Sequence, residues 1–226
     1  MFAVYKKELK SYLLTSTGYI FIGLFLLMFS VCFIETIFAS SVINFEYLFE
    51  DGSNILMFVI PVLTMRMFAE ERKLGTEQLL FTSPRSVWSI VLGKFFAAGT
   101  IVAITEVLTL VYFVILTFFG EPSFIVAIST LAGFFLLSLA FISFGMFASS
   151  ITDNQMVAFI ISVAAFLAMY FVPMFSDVLG TFSLLRMFVK FPQGVVALNE
   201  IVAFISFAIL FILLTVIVLQ RRKQVK

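Results

Sequence analysis

Long apolar runs leave this chain little choice of solvent. They cover residues 18–38, 91–119, 124–149, 155–172 and 201–219, where Glu35, Lys94 and Glu106 are the only charges, and no charged side chain occurs anywhere between Pro122 and Thr152. A helix rises about 1.5 Å per residue, so about 20 residues cross a hydrocarbon core roughly 30 Å thick. Backbone amides meet no water at that depth, and a helix is the structure that bonds them all within one segment. The chain is therefore expected to be an all-α membrane protein. Its 62% hydrophobic composition, with thirty-two Phe, and its mean hydropathy of +1.18 leave no room for a soluble reading. The first run is longer than the apolar part of a cleavable signal and leads to no convincing cleavage site, so it is expected to stay as a span.

Residues 55–68 are short for a crossing, and charge decides their status. With them counted there are six spans, both termini lie on one side, and twelve of the fourteen Lys and Arg share that side. Only Arg186 and Lys190 fall opposite. The positive-inside rule then makes the shared side cytoplasmic and the location a cell (inner, cytoplasmic) membrane. Arg66 is expected to reach the inner interface and Pro61 to be tolerated as a bend. Residues 1–17 read as an amphipathic helix in the inner interface, with Lys6, Lys7, Glu8 and Lys10 set among Phe2, Val4, Leu9, Tyr12 and Leu13. Asn44 to Asn54 reads as an acidic outer loop. The apolar stretch Pro173 to Asn199 reads as short re-entrant helices packed on protein in the outer leaflet.

Several chemistries drop out. The chain has no His and a single Cys32, which removes metal catalysis and His-based triads, and no enzyme activity is expected. A net charge of +1 makes no electrostatic case for nucleic acid, and no such partner is expected. A P-loop needs GxxxxGK[ST]; around the Gly93–Lys94 pair, Trp88 stands at the first glycine and Phe95 at the hydroxyl. No cofactor is expected on this chain.

Most of the polar chemistry sits in ERKLGTEQLLFTSP, Glu71 to Pro84. Gly75 suits the left-handed position that ends a helix, Thr76 can cap a second one, Glu77 would lie in its first turn, and Pro84 would stop it. Leu79, Leu80 and Phe81 would face bilayer or bundle, while Glu70, Glu71, Arg72, Lys73 and Glu77 stay in water. By pattern alone this is equally a solvated linker between two spans.

The stretch IPVLTMRMFAEERKLGTEQLLFTSPRSVWSIVLGK (Ile60 to Lys94), with FSLLRMFVKFPQGVV (Phe182 to Val196), resembles the membrane subunit of type 2 ABC exporters. Nearly the whole chain takes part, and the likeness is to the branch of small permeases that includes gliding-motility-associated ones. The resemblance implies that residues 1–17 are a connecting helix and that residues 70–84 are a coupling helix on a separate ATPase. Glu70, Glu71, Arg72, Gly75, Thr76, Glu77, Gln78, Leu79 and Leu80 would carry that contact. It further implies that Phe188, Phe191 and Gly194 belong to an outer gate, that ATP and Mg are held by the partner ATPase, and that two permease chains, identical or paralogous, pair in the lipid. Thr17 stands where the family often has Pro, which would leave the start of the first span less fixed. Glu106, near the middle of residues 91–119, keeps a second reading open, a proton- or ion-coupled carrier. A carboxylate costs roughly 2.5 to 3.5 kcal/mol at such depth, and its residue-level alternative is a Glu hydrogen-bonded to a neighbouring helix.

Overall fold

The computed structural model describes residues 1–39, 45–78, 86–118, 123–175, 180 and 183–225, and these contain helices and turns but no strand. In chain order the helices are α1 (Phe2–Leu14), α2 (Ser16–Ala39), α3 (Phe45–Thr64), α4 (Ala69–Lys73), α5 (Val87–Leu116), α6 (Phe124–Ile151), α7 (Gln155–Phe175), α8 (Leu184–Phe188) and α9 (Leu198–Val225). Six of the described stretches are long and apolar enough to cross a membrane: Ser16–Glu35, Leu48–Lys73, Val87–Leu116, Phe124–Ile151, Gln155–Met174 and Leu198–Gln224. The hub is α6, which packs most extensively on α9 and also on α3, α5 and α7. One end of the bundle collects α1, α4, the start of α5 and the ends of α6 and α9; it is the basic end.

The second crossing begins earlier than its sequence suggested. Residues 45–54, read as an acidic loop, form the first turns of α3, and Ser53 Oγ donates to the Glu50 carbonyl within the helix. The apolar spacing explains this. Leu48, Phe49, Leu56, Val59, Ile60 and Leu63 are buried, and with the buried Gly52 and Ser53 between them the inward face recurs at three- and four-residue intervals straight through Glu50 and Asp51. Acidic residues on the opposite face do not interrupt a helix whose inward face is continuous.

Between α3 and α4 the chain turns at residues 65–68, and a side chain from another helix manages the break. Ser149 Oγ of α6 accepts from the amides of Phe68 (3.0 Å) and Ala69 (3.1 Å) and donates to the Met65 carbonyl (3.0 Å). Helix ends expose unbonded amides and carbonyls, and a buried one left unmet costs about 1–3 kcal/mol. One hydroxyl thus serves groups on both sides of the turn. Thr15 breaks α1 from α2 with an extended backbone. Thr17 follows in the first turn of α2, where it is buried and accepts a bond from the Arg66 guanidinium. The start of the first span is therefore held by tertiary contact without the proline.

Lipid is as apolar as a Phe ring, so helices here associate by fit and polar bonds and not by escape from water. The rings are accordingly fitted to one another, some edge to face and others tilted or stacked. Phe29 and Phe49 meet at 5.1 Å, Phe49 and Phe134 at 5.0 Å, Phe134 and Phe188 at 5.9 Å, and Phe191 and Phe204 at 6.0 Å. The series links α2, α3, α6, α8 and α9. Pairs of this geometry contribute about 0.5–1.5 kcal/mol each. Hydroxyls bridge where rings do not, as Ser30 of α2 does to Tyr112 of α5 at 2.6 Å.

Close approach also fixes the crossing of α3 and α6. A Cβ at Gly145 would come 2.8 Å from Thr64 Cβ and collide with its hydroxyl, whereas a Cβ at Gly23 would meet nothing within 4 Å. Alanine gains up to about 1 kcal/mol over glycine in a helix, and overpacking costs about 1–3 kcal/mol. Gly145→Ala is expected to lower the midpoint of thermal unfolding in detergent, and Gly23→Ala to leave it unchanged or raise it.

Candidate functional site at the basic end

The residues singled out in the sequence separate into three places. Glu70, Glu71, Arg72, Gly75, Thr76, Glu77 and Gln78 gather on and just after α4. Phe188, Phe191 and Gly194 lie together at the opposite end. Glu106 sits alone within α5. Leu79 and Leu80, with Phe81 and Pro84, lie outside the described residues.

At the basic end the acidic side chains turn inward, against the expectation that they stay in water. Glu70 takes the Arg66 guanidinium in a fork, at 2.7 Å to Nε and 2.6 Å to Nη2. Glu71 pairs with Lys94 Nζ of α5 at 2.9 Å, and its second oxygen is buried without a hydrogen bond. Lys94 is 2% exposed; its ammonium also lies 3.2 Å from Glu8 of α1 and 5.4 Å from the centre of the Phe68 ring. Glu77 is buried and faces Arg222 of α9 at 3.7 Å. Arg72 and Arg222 both donate to the carbonyl of Ile151, at 3.1 and 2.9 Å, where the α6 dipole ends negative. In five residues α4 is thereby tied to α1, α5, α6 and, through the chain that follows it, α9.

Gly75 adopts φ of +72°, the left-handed conformation that a side chain resists. Helical backbone resumes at Glu77, directly after Thr76 as expected, and the Thr76 hydroxyl donates back to the Glu71 carbonyl at 3.2 Å. The outward surface here is made by Lys73, Leu74, Gly75, Thr76 and Gln78; Leu74 is 68% exposed, unusual for a large apolar side chain beside so many charges. Between α1 and α4 lies a cleft of about 530 Å³ lined by Lys7, Glu8, Ser11, Tyr12, Arg66, Glu70, Glu71 and Lys94 among others. Burial, reinforced by Glu8, pushes the Tyr12 hydroxyl far above its ordinary pKa, so it remains a proton donor there.

At the opposite end Phe188 and Phe191 are fully buried, with ring planes 15° apart and centres 6.4 Å apart. Ser129 of α6 donates to the Phe191 carbonyl at 3.0 Å, and Gly194 has φ of +75°. Glu106 is 8% exposed, and its Oε1 has no hydrogen-bond partner among the described residues. No three His, Cys, Asp or Glu side chains among the described residues converge as metal ligands.

Sequence reading missed Glu8, Lys94, Ser149 and Arg222 as members of the basic-end site. For Lys94 a signal existed. It and Glu106 are the only charges in α5, and a lone charge in an apolar helix requires a buried partner.

The family model for "ABC-2 family transporter protein" matches residues 53–220, most of the chain, from α3 into α9. The chain belongs to that family of membrane transport proteins. No curated protein matches it.

Removing one partner of a buried ion pair strands the other charge, at about 3–5 kcal/mol, whereas an exposed charge is worth about 0–1 kcal/mol. Glu71→Ala is expected to reduce sharply the yield of monodisperse protein, Lys73→Ala to be silent, and Glu71→Ala with Lys94→Met to recover part of the loss. Size-exclusion profiles and unfolding midpoints in detergent check the three together.

Proposed function

We propose that this ABC-2 family chain is the membrane-spanning subunit of an exporter driven by a separate ATPase, which binds ATP and Mg and presses on the basic end. One observation carries the reading: α4 and the residues after it are bonded to α5, α6 and α9, and through Lys94 to α1, so a force applied there reaches four helices at once. The pathway would form between two permease chains, identical or paralogous, in the cytoplasmic membrane with both termini inside. The finer placement, in the small-permease branch that includes gliding-motility-associated proteins, rests on the motif resemblance. Residues 70–84 then act as the coupling region and residues 1–17 as the connecting helix. Phe188, Phe191 and Gly194 would close the outer side on re-entrant segments between the last two spans.

Within the coupling region the roles divide by exposure. Glu70, Glu71, Arg72 and Glu77 hold the segment to its own bundle, while Leu74 and Gln78 face the partner, with Gly75 and Thr76 setting the turn that presents them. Leu79 and Leu80 keep the contact role that the resemblance implies. Apolar anchors dominate interfaces of this kind when a pocket receives them.

A second reading, a proton- or ion-coupled carrier, is favoured by the unpartnered Oε1 of the buried Glu106. It predicts transport that Glu106→Gln abolishes and that needs no ATPase.

Three results test the main reading. The purified chain alone is expected to turn over no ATP and, co-expressed, to co-purify with an ABC ATPase; ATP turnover by the isolated polypeptide overturns it. Leu74→Asp is expected to weaken that association 10-fold or more, a loss of at least about 1.4 kcal/mol, with the unfolding midpoint unchanged. Single cysteines in a Cys32→Ser background are expected to label from outside at Glu35 and from inside at Thr76, both exposed positions. Labelling of both from one side rules the topology out.

A further inference from the structure

In the chain α1 and α4 are separated by two spans, yet the structure brings them to opposite walls of one cleft. Ser11 and Thr15 belong to one wall, Glu70, Leu74 and Thr76 to the other, across a volume of about 530 Å³. What reaches both is the side chain of Lys94. Its ammonium lies 3.2 Å from Glu8 of α1 and 2.9 Å from Glu71 of α4, and at 2% exposure it forms the buried floor of the cleft. The neighbouring Arg66 bond runs to Thr17 of α2 and does not engage α1.

The α1 side of this junction is firm. Gly93, the residue before Lys94, allows α5 to lie so close to α1 that a Cβ there would come within 2.9 Å of Val4. One to two turns further on, Tyr5 shares a hydrogen bond of 3.0 Å with Thr100. Helices α1 and α5 are thus held by steric fit and a neutral bond along their contact. The attachment of α4 to that pair is different in kind, since it depends on one positive charge between two carboxylates. Without the ammonium, two half-buried like charges would face each other, and their repulsion would drive α1 and α4 apart.

We propose that Lys94 is the positioning residue that locks the amphipathic helix α1 to α4, so that the two travel as one body when α4 is displaced. The inference rests on α4 belonging to the segment on which the ATPase acts. It gives α1 a task beyond lying in the interface: motion delivered at α4 is carried to α1 and α5 at once through the ammonium.

Spin labels at Ser11→Cys and Lys73→Cys, in the Cys32→Ser background, report the separation of the two elements, since both positions are exposed. Distances are measured by pulsed electron resonance on the full chain in lipid nanodiscs, alone and in the nucleotide-trapped complex with its ATPase. With Lys94 present, and with Lys94→Arg, one narrow distance distribution is expected in both states. The neutral combination Glu8→Gln, Glu71→Gln, Lys94→Met carries no stranded charge, so it is expected to insert with an unfolding midpoint close to the parent's. In it the narrow distribution is expected to be lost. A narrow, unchanged distribution in that combination overturns the lock, as does failure of Lys94→Arg to restore it. Should Lys94→Met alone not insert, the neutral combination still decides. If no ATPase assembles with the parent chain, the exporter reading falls, while the measurement on the permease alone still judges the role of Lys94.

Discussion

No water reaches the hydrocarbon core, and every backbone amide placed there must be bonded within the protein. Much of this chain's architecture follows from that demand. The crossings are helices, and the described turns are found at their ends, where polar partners can be supplied. The break at residues 65–68 shows how strict the requirement is: it lies among residues that are buried or half-buried, so its amides and carbonyl are met by Ser149 of another helix. The sharp turn before α4 is therefore a property of α3 and α6 together.

Because lipid removes the usual driving force between apolar surfaces, shape and small polar groups decide which helices adjoin. Gly145 lets α6 lie against Thr64 of α3, Gly93 lets α5 lie against Val4 of α1, and the chain of Phe rings from Phe25 to Phe204 fills the space between the others. The same rings close the end opposite α4. Phe188 and Phe191, implied by resemblance to belong to a gate, are buried against α6 and each other.

Charge is concentrated where that packing meets water, and its arrangement gives α4 its character. In the coupling role proposed for α4, a segment that merely carried exposed carboxylates would bind a partner without moving anything. Here Glu70, Glu71, Arg72 and Glu77 are committed to Arg66, Lys94, the end of α6 and Arg222. The outward surface that remains is short and partly apolar, with Leu74 beside a left-handed Gly75. Rigid inward attachment with a small outward face suits the coupling role proposed for this segment.

The crossings, the helical class and the basic end were legible in the sequence because each depends on local pattern: runs of apolar residues, their spacing, and the side on which Lys and Arg fall. The left-handed Gly75 was legible for the same reason, since the demand on its backbone is made by its own turn. The early start of α3 was also written in the spacing of Leu48, Phe49, Ile55 and Leu56, but Glu50 and Asp51 masked it. Tertiary structure alone decided the partners. Glu8 and Lys94, or Ser149 and the amides of Phe68 and Ala69, are far apart in the chain, and no local periodicity records which charge or hydroxyl will meet which. That choice is made when helices pack, because only then does an ammonium lose its water and need two carboxylates in its place.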